Sequence, residues 1–385
     1  MFTTVQPKTA STFTIRYYIA RLNSDSTVDT TYNPRASGQI NTLALQSDGK
    51  VVAGGLFTFF RNGDDLTKNV DINRIARLNA DGTLDATFNP NIGGGFAPQV
   101  TSIVVQANGQ IVIGGTFRSV GAVVRNYIAR LNADGTLDAT YNPSPNAAVL
   151  SLALQGDGKV IAGGSFTSLN PEGGDSTVRS RLVRLNTNGR PDSEFDPKPD
   201  NSVNAIAVQI DGKIVIGGTF NNLQPIGDAL VTVRSRVARL NADGTLDGTF
   251  NPNANAPVNA IVLQSDGSVI IGGAFTTLRP NSDTTTSGRA YLARLLNDGT
   301  LDPTFVTTAN SAVQALALQP TDPTPNFNLG ILLADDLPAI ERRIFAGSYK
   351  GVTDLVTKYW WPVPARIVTR WCAVAGLRPN HVTFL

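Results

Sequence analysis

Histidine and cysteine are almost absent: His381 and Cys372 are the only ones in 385 residues. One cysteine cannot build a disulfide framework. With its single histidine at position 381, the chain before it has no imidazole for a base, a nucleophile partner or a metal ligand. Charge is scarce too. Asp, Glu, Lys and Arg make up 16% of the residues, against roughly 25% in ordinary soluble domains, so the polar surface must come from Thr, Ser, Asn and Gln. A formal net charge of +2 is too small to imply a nucleic-acid partner. No apolar run reaches the roughly 18 residues of a membrane-crossing helix. The opening MFTTVQPKTAS lacks the charged-then-apolar pattern of a signal peptide. GxSxG, HExxH, CxxC, GxGxxG and Walker patterns are missing, so neither a catalytic centre nor a cofactor is expected.

What is present is turn-rich and apolar: 36 Gly, 22 Pro and a 41% apolar fraction point to many short strands around a sizeable core. The motif RLN-x-D-G-T-L-D-x-T-F/Y-N-P recurs from Arg21, Arg77, Arg130, Arg184, Arg239 and Arg294, at spacings of 56, 53, 54, 55 and 55 residues. Between copies sits a second unit of the form V-N-A-I-A-L-Q-S-D-G-K-V-V-I-G-G-T-F. Its glycine pairs are Gly54-Gly55, Gly114-Gly115, Gly163-Gly164, Gly217-Gly218 and Gly272-Gly273. Each period reads as four short strands. In the copy opening at Val203 these are VNAIAVQ, KIVIGGTF, SRVARLN and TLDGTFN, with Asp-Gly turns inside both hairpins. The near-unbroken apolar second strand fits a strand covered on both faces. Four antiparallel strands repeated about every 54 residues predict propeller blades. The expected fold is all-β: a propeller of about six four-stranded blades over 1–319, the last incomplete, then a Pro-rich linker (320–334) and a short helical segment (335–385).

RLNADGTLDATFNP followed by ALQSDGKVVIGGTF resembles the delta-60 repeat, over residues 2 to about 319. The resemblance implies a non-enzymatic scaffold of bacterial surface or secreted proteins, hence an extracellular or cell-surface location. Met1 to Pro7 aligns with Ala274 to Pro280, just after a glycine pair, and the last strand one (Ala312 to Pro320) is not followed by DGKVVIGG. Both ends therefore read as cut within the repeat.

In a propeller the Asp-Gly turns fall on one face, and the connections two–three and four–one on the other. From the second glycine of each pair to the next motif arginine there are 22, 15, 20, 21 and 21 residues, so the second face carries the length variation. It is the expected contact surface for an unknown protein or carbohydrate ligand.

Each motif arginine is followed eight residues later by an aspartate: Arg21/Asp29, Arg77/Asp85, Arg130/Asp138, Arg184/Asp192, Arg239/Asp247 and Arg294/Asp302. The hairpin brings each pair close, which predicts a bidentate ion pair inside each blade; a ring of charges for a ligand or Ca²⁺ is the alternative. LNADGTLD has too few closely spaced oxygens for a calcium loop, and Asn188 replaces its aspartate in the fourth copy. The glycine pairs read as sites of close blade approach or of a bulge rather than as a phosphate loop.

The C-terminal stretch differs in kind. Trp360, Trp361 and Trp371 all fall in the last 26 residues. ADDLPAIERRIF reads as a capped helix. Further on, Arg366 and Arg370 share one helical face, with Trp371 largely away from it, a basic aromatic pattern suited either to a membrane surface or to a small helix packed against the propeller. RRIFAGSY (342–349) faintly mimics a second strand. The stretch 335–385, ending in RPNHVTFL, resembles the region before the first transmembrane helix of CDP-alcohol phosphatidyltransferases. That family's Asp-rich signature is absent. The second reading is therefore a truncated, inactive piece of such an enzyme fused to the repeats.

Overall fold

The computed structural model describes residues 4–5, 13–23, 27–62, 68–282, 286–307, 309–318, 329–330, 370–375 and 381–384. They divide into two compact units, Met1–Asn89 with Ala315–Leu385, and Pro90–Gln314. The second unit holds four sheets of one pattern, each ordered strand one, strand two, strand three. In the third of them Val203–Val208 pairs antiparallel with Ile214–Gly218, which pairs antiparallel with Val237–Leu240. The first unit carries a sheet of the same kind, Ile40–Leu45, Val51–Gly55 and Ile75–Leu78. Second strands are buried at every residue, as a strand covered on both faces requires.

The fourth strand is much reduced. Each period keeps only a one-residue bridge, such as Leu240 to Leu246 or Leu185 to Pro191. The reason lies one residue on. Oδ1 of Asp247 accepts from Thr249 N at 3.0 Å and Thr249 Oγ1 at 2.7 Å, folding the chain into a turn before a ladder can extend.

The two glycines of each pair have separate duties. A Cβ on Gly217 would lie 2.6 Å from Val258 Cγ1, the first residue of the next blade's strand one. A Cβ on Gly218 would lie 2.1 Å from the Ser202 carbonyl oxygen, at the register shift between Val203 and Ala205. Close blade approach belongs to the first glycine and the bulge to the second. The phenylalanine two residues after each pair (Phe57, Phe117, Phe166, Phe220, Phe275) has no exposed surface, each burial contributing about 1.5–3 kcal/mol.

Both Asp-Gly turns close with the glycine at positive φ, +84° at Gly212 and +94° at Gly244. In the second, Gly244 N donates to Asn241 O and Asn241 N to Thr245 O, a type I turn with a glycine bulge. The residue before each third strand also has positive φ without being glycine: Tyr18, Arg74, Tyr127, Arg181, Arg236 and Tyr291, at 64° to 68°. Arg236 is held there by its N–H to Phe220 O and its carbonyl to Gly218 N, both at backbone hydrogen-bond distance. The connections two–three and four–one are themselves small ribbons. Asn222–Leu223 pairs with Thr232–Val233, and Ile92–Gly93 pairs with Ser119–Val120.

In the first unit, Ile19–Leu22 pairs with Arg370–Ala375, which pairs with His381–Phe384. This corrects the helical expectation for those two stretches: a third strand with an open edge takes up β-forming sequence (WCAV, HVTF) as its neighbours. The helix expected at ADDLPAIERRIF and the strand-like RRIFAGSY lie outside the described residues.

Gly244→Ala and Gly267→Ala impose similar backbone strain, but only the first adds a collision, 2.7 Å from the Phe195 ring against an ordinary 3.6 Å to Asn297. Gly267→Ala is expected to lower stability by about 1 kcal/mol, and Gly244→Ala by clearly more, measured as shifts of the urea transition.

Candidate functional site

The structure places all six Arg/Asp pairs in contact. Nε of Arg21, Arg77, Arg130, Arg184, Arg239 and Arg294 donates to Oδ2 of Asp29, Asp85, Asp138, Asp192, Asp247 and Asp302 at 2.5–2.9 Å. Each guanidinium also lies over the aromatic ring that closes its motif, 4.4–4.6 Å from the centroid at Tyr32, Phe88, Tyr141, Phe195 and Phe250 and 5.3 Å at Phe305. That stacking is favourable in a desolvated setting, and Arg239 is only 2% exposed.

A third contact leaves the blade. Nη1 of Arg130 donates to Thr187 O at 2.6 Å, and Nη1 of Arg239 to Asn297 O at 2.6 Å. Arg21 and Arg184 reach Ala80 O and Ala242 O in the same way. These carbonyls sit in the second Asp-Gly turn of the following period. The glycine of that turn rests on the preceding ring: a Cβ at Gly82 would lie 2.5 Å from Tyr32, and one at Gly189 3.0 Å from Tyr141. One arginine thus joins its own hairpin, its own ring and the neighbouring blade.

The carboxylates have further partners. Lys50, Lys159 and Lys213 donate Nζ to Asp85, Asp192 and Asp247 at 2.9–3.0 Å, and Gln110 takes the lysine's place at Asp138. Burial pushes the Asp85 and Asp247 carboxyls up, but the hydrogen bonds from lysine, threonine and arginine outweigh it and hold both far below the usual range. Asp29, Asp138, Asp192 and Asp302 are lowered by the same balance of burial against hydrogen bonds. At Asp192 the threonine is replaced by Glu194, which gives only its backbone N–H, at 3.1 Å. The turn aspartates are engaged locally: Asp243 Oδ1 accepts from Thr245 N and Oγ1 at 2.9 and 2.7 Å. Among the described residues, no cluster of three His, Cys, Asp or Glu side chains is placed to hold a metal ion.

A second periodic arginine, five residues before the first, escaped the reading of the sequence. Arg125, Arg179 and Arg234 each give Nη1 to the preceding carbonyl and Nη2 to a carbonyl in the turn after strand four. Its signal is the spacing Arg125/Arg130, Arg179/Arg184, Arg234/Arg239, hidden inside connections of unequal length. The lysines of the Asp-Gly-Lys turns, Lys50, Lys159 and Lys213, carry a periodic signal of the same kind. Trp360, Trp361 and Arg366 lie outside the described residues. Arg370 and Trp371 lie in the strand Arg370–Ala375, not on a helix.

Asp247→Ala strands Arg239 in a buried position and is expected to cost about 3–5 kcal/mol in the urea transition. Acid supplies an independent check. A carboxyl with a depressed folded pKa binds fewer protons folded than unfolded. Its stabilisation is complete above the unfolded value of about 3.9 and is lost as the pH falls toward the folded value. The urea midpoint should stay flat from about pH 7 to pH 5 and fall below about pH 4; a midpoint that rises on acidification contradicts the arrangement.

The family profile described as "Domain of unknown function (DUF5122) beta-propeller" matches residues 9–32, 46–88, 106–141, 155–195, 209–250 and 264–305. Comparison with curated proteins returns no match. Among solved structures the chain is similar to the WD40 β-propeller domain of Doa1, at 13% identity and a TM-score of 0.37, covering 74% of this chain and 87% of that one. The computationally designed Ika8 protein gives 13%, 0.38, 74% and 91%. The extracellular domain of the putative one component system BT4673 from B. thetaiotaomicron gives 13%, 0.39, 76% and 37%. Likenesses of this size add nothing to the fold already described. The family profile covers more than half of the chain and coincides with the hairpins and arginine motifs above, so the chain belongs to the DUF5122 β-propeller family.

Proposed function

We propose that the chain is a non-enzymatic binding scaffold whose contact surface is built from the strand two–three connections and the adjoining four–one connections, suited to a protein or carbohydrate ligand. The observation that carries this reading is where apolar side chains meet solvent. In Pro90–Gln314 they gather on those connections: Phe96, Val123, Val124, Val178, Ile226, Leu230, Val231 and Val233 are all exposed. The Asp-Gly turns of the same unit expose only Ile210 and Leu296 among large apolar residues.

The contrast has a physical basis. The arginine motif and the Asp-Gly turns repeat nearly unchanged because each serves the neighbouring blade. The connections serve no such constraint and differ in length and sequence, and their described residues include short ribbons. Variable and partly apolar segments on a rigid frame suit recognition. The resemblance to the delta-60 repeat supports an extracellular or cell-surface setting, with a bacterial source.

Hydrogen exchange with and without a ligand recovered from glycan or cell-surface protein arrays tests the surface. Protection is expected in 118–125, 168–179 and 221–234, and protection confined to the Asp-Gly turns would overturn the reading. Replacing Leu230 and Val231 by serine should weaken binding at least about tenfold while moving the urea transition by no more than about 0.5 kcal/mol.

A further inference from the structure

Among the described residues, six third strands carry the motif arginine, but only five have a glycine-pair second strand beside them. In those five the register is constant. The first glycine lies opposite the first residue of strand three, and the motif arginine lies opposite the second residue of strand two, as in Gly217↔Val237 and Val215↔Arg239. The sixth, Ile19–Leu22, has Arg370–Ala375 in that place and in that register: Ala373 lies opposite Ile19, and Trp371 opposite Arg21. The C-terminal strand stands where a repeat strand stands elsewhere.

It is a poor copy of one. Strand two reads VVAGG, IVIGG, VIAGG, IVIGG and VIIGG in the five blades and is buried throughout. The register sets Arg370-Trp371-Cys372-Ala373-Val374 against that pattern. Val374 falls at the second glycine, where a Cβ would meet a backbone carbonyl oxygen at 2.0–2.1 Å in each of the five blades. The bulge is missing as well. All five ladders between strands one and two shift register, while Arg370–Ala375 pairs with His381–Phe384 without a shift. So is a cation. Lys50, Lys159 and Lys213 stand one residue before strand two and donate to the aspartates of their own blades. Asp29 Oδ2 receives only Arg21 among the described residues, and the residue before Arg370 is Thr369.

A third strand with an ill-fitting neighbour, beside a carboxylate without its lysine, is the complement of Lys-(Val/Ile)-(Val/Ile)-(Ala/Ile)-Gly-Gly. We propose that the Ile19–Leu22 edge accepts such a strand in trans, from another polypeptide carrying the same repeat, by antiparallel strand addition. The incoming strand displaces Arg370–Ala375, its lysine reaches Asp29, and the two polypeptides are joined through one shared blade. The site rests on blade register and is independent of the exposed apolar connections.

The test uses the full chain and a fluorescent synthetic peptide, DGKIVIGGTF, the sequence of residues 211–220, read by anisotropy. One saturable site is expected. The peptide carrying Gly217→Ala and Gly218→Val should bind at least about tenfold more weakly, because the second Cβ forbids the bulge. The peptide carrying Lys213→Ser should bind about threefold more weakly. Cys372, the only cysteine of the chain, reports displacement: saturating peptide should speed its reaction with a thiol reagent at least about tenfold. Cys372→Pro removes a ladder donor from the C-terminal strand alone and should tighten peptide binding. Absence of saturable binding, equal binding of the three peptides, a thiol rate unchanged by peptide, unchanged affinity in Cys372→Pro, or a chain already dimeric without peptide (a second copy's C-terminal strand then filling the edge) would each overturn the proposal.

Discussion

The motif arginine is the constraint on which the rest of this structure depends. At Arg239 a single planar group donates to Asp247, stacks on Phe250 and donates to the Asn297 carbonyl of the next period. Only a guanidinium can do all three, because its donors are fixed in a fork and its faces remain free to stack. A chain poor in charge has placed much of it where it is buried and paired. Removing either partner of such a pair is costly even though the intact pair gains little over an apolar contact. The pair therefore specifies the arrangement of blades more than it adds to their stability.

Other repeated features follow from that junction. The Asp-Gly turn must offer a carbonyl to the preceding arginine and a flat surface to the preceding ring, so its glycine meets both a positive φ and a steric limit. The aspartate must hold the arginine with one oxygen and the turn after it with the other, which ends the fourth strand at a single bridge. The first glycine of each pair admits the next blade's valine, and Thr101 Oγ1 donates to Val149 O across the same junction. Residues that serve only their own period, in the connections, are free to differ.

Much of the fold was legible because its signals are periodic. Arginine and aspartate eight residues apart, on either side of an Asp-Gly turn, can meet only across a hairpin, and recurrence six times separated this from chance. The aromatic stacking and the reach to the next blade were not legible, since neither has a spacing rule within one period. The positive φ at Arg236 and its counterparts carries no glycine to announce it; tertiary hydrogen bonds override local preference there. The fourth strand was overread because TLDGTFN alternates like a strand, while the side-chain turn at its aspartate ends pairing after one residue.

The most direct measurement of the arginine junction is native-state hydrogen exchange on Arg239→Lys. Lysine keeps the charge and can still meet Asp247, but it cannot also stack flat on Phe250 and reach Asn297. Amide protection should fall in Val237–Leu240 and, by a comparable factor, in the following blade's Val269–Gly273 and Leu292–Leu295. Loss confined to Val237–Leu240, or unchanged protection in both blades, would contradict the account.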